Sequence, residues 1–174
     1  MTARLDLEPL RVGHAEEMVG LLADRALYSF YDDEASPTLL ELRERYERQV
    51  QGRSADGTQE WHNWVLRLRG AGDAAASGAG LGTSPAVGFV QATVTGATPL
   101  TVELAWVVGT AYQGRGLASE AAAAVRDELG TASIVIAHIA PGHVASESVA
   151  RRIGLSPTAE QHDGETRWVR TLSL

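Results

Sequence analysis

The run Gln113-Gly114-Arg115-Gly116-Leu117-Ala118 follows an apolar stretch, Thr101 to Val108, and precedes an alanine-rich segment ending at Gly130. A strand that feeds a glycine-rich turn at a helix start makes an anion site. The turn's amides point outward, and the helix dipole adds partial positive charge. Glycine lets a pyrophosphate come close to the main chain, and Arg115 can add a full charge. Two phosphate patterns fail here. The Walker pattern requires a lysine, and this chain has none. The dinucleotide pattern would need glycine at 119, which is serine. A tight strand-to-helix connection with no ligand would use the same glycines, so spacing alone leaves the ligand open.

The elements that must position this turn can be read along the chain. Leu5 to Leu10 alternates and meets Pro9, which predicts a first strand ending there. Residues 14–24 put Met18, Val19, Leu21 and Leu22 on one helical stripe. Residues 37–51 predict a second helix, capped by Ser36 with Pro37 at its start and with Leu39, Leu42, Tyr46 and Val50 buried. Strands follow at Trp61–Arg69, Val87–Thr95 and Thr101–Val108. In the last of these Glu103, Ala105 and Val107 face away from Val102, Leu104, Trp106 and Val108. A helix at 115–129, a strand at Ser133–His138 and a helix at 144–153 come next, the last with Ala145, Val149 and Ile153 in register and Gly154 as its stop. The tail breaks at His162-Asp163-Gly164 and predicts a hairpin. Residues 70–85, nearly all Gly, Ala and Ser, predict a flexible loop inside a hairpin. The order implies a mixed sheet with helices on it, an α+β layered domain, in a single unit over 1–174.

With these elements in place, the sequence resembles the GNAT (Gcn5-related N-acetyltransferase) family. Gln113-x-x-Gly116-x-Ala118 is similar to that family's acyl-CoA signature, and it lies after the fourth strand as it does there. Glu103-Leu104-Ala105-Trp106-Val107-Val108 resembles the fourth strand of the Rim-type branch, which includes acetyltransferases of ribosomal-protein N-termini. Pro141-Gly142-His143-Val144-Ala145-Ser146 through Ile153-Gly154-Leu155 is similar to that branch's second motif. Three positions depart from the pattern. His143 stands where asparagine is common, Leu155 replaces an aromatic, and Ala150 stands where many members carry an acid-catalyst tyrosine.

The resemblance implies a mostly antiparallel GNAT sheet flanked by about four helices. It also implies acetyl-CoA as co-substrate, no metal, and direct attack by a primary amine. Val107 and Val108 would meet the thioester and pantetheine. Gly114, Arg115, Gly116, Leu117, Ala118 and Ser119 would hold the pyrophosphate with Gln113, and His143 would touch CoA. Glu103 is the candidate base, acting directly or through a water, and Ser146 the candidate proton donor to the departing thiolate. A solvated Glu103, and a Ser146 that binds only helix amides or the pantetheine arm, are the structural alternatives. His138, inside an apolar strand, reads as a core histidine. The four tryptophans read as core or sheet packing.

An amine acceptor sets how much base is needed. A lysine-like amine titrates near about 10.4 and a peptide α-amine near about 7.7–8.0, so the second needs little more than a proton relay. Tyr28, Tyr31, Asp32, Asp33 and Glu34 join aromatics to acids and are the candidate grip for a cationic acceptor, whether a peptide N-terminus or a small amine.

The bulk numbers fit this reading. A net charge of -7 disfavours a nucleic-acid partner. No apolar run approaches the ~18–20 residues of a membrane span. The chain has no cysteine, which excludes disulfides and a Cys nucleophile. A cytoplasmic location is expected, and a homodimer is compatible with the sequence. The rival class is a catalytically silent acyl-CoA-binding module with the same fold. A generic nucleotide binder is a third reading.

Overall fold

The computed structural model describes residues 2–30, 36–69, 84–96, 99–129 and 133–170. The elements follow the expected order. β1 is Leu5–Pro9, α1 Ala15–Leu22, α2 Leu39–Gln49, β2 Gln59–Leu68, β3 Ala86–Thr95 and β4 Leu100–Val108. Then come α3 Leu117–Leu129, β5 Ser133–Ile139, α4 Val144–Arg152, β6 Ser156–His162 and β7 Glu165–Arg170. The strands form one sheet in the order β1-β2-β3-β4-β5-β7-β6. Every pairing is antiparallel except β4 with β5.

The sheet is buried on both faces, but unequally. Leu66, Val90, Val102, Leu104, Val135 and Ile139 pack on one face against Leu117, Ala121 and Val125 of α3 and Val149 and Ile153 of α4. Each such Leu, Ile or Val contributes about 1.5–3 kcal/mol relative to exposure. On the other face, Val65, Phe89 and Val107 lie under Met18 and Leu22 of α1 and Leu42 and Tyr46 of α2. Strand alternation puts Asn63, Gln91, Ala105, Trp61, Thr93 and Glu103 on this second face as well.

Several expectations need correcting. The α2 cap is Thr38, whose Oγ1 accepts from the Glu41 amide while Glu41 accepts from the Thr38 amide. This is the capping box spelled by Thr38-Leu39-Leu40-Glu41. Ser36 instead donates to the Ala23 carbonyl. Val50 lies past the helix and is exposed, and Ala145 is exposed on the first turn of α4. α3 begins at Leu117, because Gly114 and Gly116 have φ of 73° and 75° and cannot belong to a right-handed helix. The tail hairpin turns at Asp163 and Gly164, both at positive φ, as a two-residue turn between antiparallel strands requires. The predicted loop at 70–85 falls, except for Ser84 and Pro85, outside the described residues.

Candidate functional site

β4 and β5 are in register from Leu100↔Ser133 to Glu103↔Ile136, and there the pairing stops. β4 runs on to Val108 alone on that side, still paired with β3 on the other. The bend has a cause in β3. A Cβ at Gly88 would collide with the Val107 carbonyl oxygen and come within 3.0 Å of the Val108 Cα, so only glycine lets β4 lean toward β3 here. The β5-facing backbone of Trp106 to Val108 therefore has no register partner and borders a cleft.

The cleft opens into a cavity of about 550 Å³, within the range of small-molecule sites. Val107, Val108, Gln113, Gly114, Gly116, Leu117, Ala118 and Ser119 line one side, and His143 and Ser146 the other. The turn before α3 is fixed from several directions. Gln113 Nε2 donates to the Val108 carbonyl (2.9 Å), so the motif's first residue staples the turn to β4. Arg4 donates to the Arg115 carbonyl (2.8 Å) and pairs with Glu120 (2.7 Å). Burial works to raise the Glu120 carboxyl, but the Arg4 backbone and side-chain hydrogen bonds outweigh it and hold Glu120 below its usual range. Asp24 caps a 3-10 turn at Arg25–Tyr28 and accepts from the Thr110 hydroxyl, which ties that turn to the end of β4.

The cavity fits a phosphate-bearing ligand. Ser119 Oγ, on the first turn of α3, is buried and has no hydrogen-bond partner among the described residues. An unsatisfied buried hydroxyl is costly unless something bonds to it. Here it lines the cavity beside the outward amides of two left-handed glycines at a helix start. Arg115 is exposed and does not line the cavity; Arg152, on the last turn of α4, does. Reading the sequence misses Arg152, because its helical position sets it among ordinary C-terminal charges.

On the facing wall His143 caps α4. Its Nδ1 lies 3.5 Å from the Ser146 amide and its Nε2 3.3 Å from Ser146 Oγ. The Phe30 ring stacks on it, with centroids 4.2 Å apart and planes 9° from parallel. Burial holds the His143 imidazole below its usual pKa and so favours the neutral ring. With Nδ1 accepting, the ring proton is on Nε2, and the Ser146 hydroxyl is free to donate elsewhere. Phe30 belongs to the aromatic run read as the acceptor grip, and its stacking on His143 in the cavity wall is a contact that the sequence does not reveal.

Glu103 does not line the cavity. It lies on the second face of the sheet at the mouth of the split, partly exposed, with Oε1 2.7 Å from His138 Nδ1. His138 is therefore a partner of the candidate base and no mere core residue. The exposed His162 ring sits 5.2 Å from it. Tyr28 donates to the Leu22 carbonyl (2.9 Å) and is not among the cavity residues, whereas its neighbours Ala26, Leu27, Ser29 and Phe30 are. Tyr31, Asp32, Asp33 and Glu34 lie outside the described residues. Ala150 is fully buried in α4, and Leu155 donates its amide to the Ala150 carbonyl in the helix-ending motif around Gly154. No described helix is long and apolar enough to cross a membrane.

Similar folds are known. A solved acetyltransferase from Thermus thermophilus superposes with a TM-score of 0.72 at 18% identity, over 99% of this chain and 100% of that one. The ribosomal L7/L12 α-N-protein acetyltransferase RimL, solved with coenzyme A, gives 0.69 at 13% over 97% and 94%. The aminoglycoside acetyltransferase AAC(6')-Ib, also with coenzyme A, gives 0.71 at 13% over 96% and 94%. No curated protein matches the chain significantly. The family model for the acetyltransferase (GNAT) domain matches residues 4–156. The match covers most of the chain, and this chain belongs to the GNAT family.

Proposed function

We propose that this protein transfers an acetyl group from acetyl-CoA to the nitrogen of a primary amine, both being bound at once. The observation that carries the reading is the opening at the β4–β5 split. A cavity that contains the orphaned Ser119 hydroxyl lies along the unpaired end of β4, and Glu103 stands on the same strand in the last pair before the split. When bound, acetyl-CoA supplies an already activated thioester. The residues then have to position, polarise and move protons.

The turn from Gly114 to Ser119 holds the pyrophosphate through its amides, and Arg152 adds charge from the cavity wall. The backbone on the β5 side of Trp106 to Val108, left without β5 partners, binds the pantetheine, and the Val108 N–H, which points to that side because the Gly109 N–H donates to Val87 of β3, meets the oxygen on which charge develops. His143 and Phe30 together close one wall over the pantetheine arm. The Ser146 hydroxyl, which accepts from His143 Nε2, donates toward the departing sulfur. Glu103 accepts from His138 Nδ1, which leaves His138 Nε2 with a lone pair. The two together take the ammonium proton, and the exposed His162 ring leads outward to solvent. The acceptor approaches across the second face of the sheet, as a peptide or protein N-terminus or a small cationic amine. Dependence on acetyl-CoA fits a cytoplasmic setting.

A second reading, an acyl-CoA-binding module without turnover, is favoured by buried Ala150, which offers no hydroxyl donor on α4. Release of free thiol from acetyl-CoA on addition of a mixed amine panel separates the two. Amine-dependent release that falls on Glu103→Gln supports transfer. Tight acetyl-CoA binding with no amine-dependent release supports the silent module.

A further inference from the structure

On the second face of the sheet, α2 covers the strands only in part. The C-terminal half of α2 and the strands beneath it border an open groove of about 330 Å³, with the exposed Arg45 and Arg48 above and Trp61, Asn63, Gln91 and Thr93 below. The helix spacing Glu41/Arg45 and Glu44/Arg48 is the i,i+4 arrangement that favours ion pairs. Neither pair forms. Glu41 is turned to its own helix cap, and among the described residues neither Arg45 nor Arg48 has a carboxylate within 4 Å. In a chain of net charge -7, two guanidinium groups stand without a carboxylate partner among the described residues, over a floor that holds the Asn63 and Gln91 amides. Gln49 donates to Gln91 Oε1 (3.4 Å), which leaves the Gln91 NH₂ as a donor to the groove. The Trp61 indole N–H is taken up by Gln59 (3.0 Å), so its ring serves as an apolar wall.

The groove leads to the proposed reaction point. Thr93 is the direct cross-strand partner of Glu103, and Gln91 is that of Ala105, which is exposed. An amine beside Glu103 would lie one to two strand spacings, roughly 5–10 Å, from a group held by the arginines.

We infer that the acceptor is an amine bearing a carboxylate, with Arg45 and Arg48 gripping the carboxylate while the amine lies at Glu103. The planar guanidinium fork and side-chain amides match a carboxylate. The groove lacks the nest of backbone amides that serves phosphate at α3. The inference rests on the transferase reading above and narrows its acceptor to amines that carry an acid near the nitrogen, such as an N-terminus followed by an acidic residue.

Calorimetry on the CoA-saturated protein tests it with three amidated dipeptides, Ala-Asp, Ala-Asn and Ala-Lys, and with free aspartate. The expected result is that Ala-Asp binds at least about tenfold more tightly than Ala-Asn, with Ala-Lys weakest. The preference should vanish in the Arg45→Gln/Arg48→Gln variant while its Tm and CoA affinity stay at the parent values. Tighter binding of free aspartate than of Ala-Asp amide would identify a free amino acid as the form recognised. Equal affinity for all three peptides, no measurable binding of any, a preference for Ala-Lys, or a preference that survives the double variant would overturn the inference. An acid preference in a protein that transfers no acetyl group would count against the transferase reading and leave the groove assignment standing.

Discussion

His138 Nδ1 lies 2.7 Å from Glu103 Oε1, and the contact joins Glu103, in the last registered β4–β5 pair, to a β5 residue just past that pair, where the two strands part. A carboxylate that holds one imidazole nitrogen fixes the tautomer and leaves the other free to accept a proton. Glu103→Gln and His138→Gln should therefore each lower kcat by about 10²-fold or more, the scale of general-base catalysis. The double variant should be little worse than the poorer single, since the two act as a unit. Steady-state kcat of the three variants, with the KM for acetyl-CoA unchanged, checks this. Losses that multiply would mean the two groups work separately.

Gly88 is needed because β4 leans onto it. Gly88→Ala should cost about 1–3 kcal/mol of stability, the scale of overpacking. It should also weaken acetyl-CoA binding, because the collision is with the Val107–Val108 segment that borders the cleft. Chemical denaturation and an acetyl-CoA titration together test it. A destabilised protein with unchanged acetyl-CoA affinity would mean that the bend plays no part in the site.

Gly116 has φ of 75°. A β-branched residue is an outlier in that region, and left-handed backbone costs L-residues roughly 1–2 kcal/mol. Gly116→Val should lose that much stability and raise the Kd for acetyl-CoA at least about tenfold, because the amide cradle would be distorted. Gly57→Ala carries similar strain (φ 72°) in the turn that leads into β2 and should lower stability without changing that Kd.

His143 gives a pH dependence. Burial depresses its pKa, so as pH falls below about 6.5 the unfolded chain binds a proton that the folded protein resists. Stability from this group is present above that pH and is lost as pH falls toward the depressed value. His143→Asn, which loses the titrating ring, should reduce the slope of Tm below about pH 6.5 and leave it unchanged above about pH 7.5. Thermal melts across that range measure it.

Much of this is legible in the sequence. The alternation in Leu100–Val108, the glycines at 114 and 116 and the stop at Gly154 each reflect a local rule, and each element appears where that rule puts it. The α2 cap is equally local, but the proline at 37 draws the expected boundary two residues early. Contacts between distant segments cannot be read this way. Phe30 on His143, Glu103 on His138 and Arg4 on the turn before α3 join residues 113, 35 and 111 positions apart. The unpaired state of Arg45 and Arg48 is hidden for the opposite reason. Local spacing predicts helix salt bridges there that the fold does not make.

A thermal-shift titration with acetyl-CoA, CoA, ATP and NAD shows whether acetyl-CoA occupies the cavity at the β4–β5 split. At a hundredfold excess over Kd, binding adds about 2.7 kcal/mol, which for a domain of this size raises Tm by roughly 5–10 °C. The expected result is that rise with acetyl-CoA and CoA only, and its loss in Gly116→Val. No shift, or an equal shift with ATP, would contradict it.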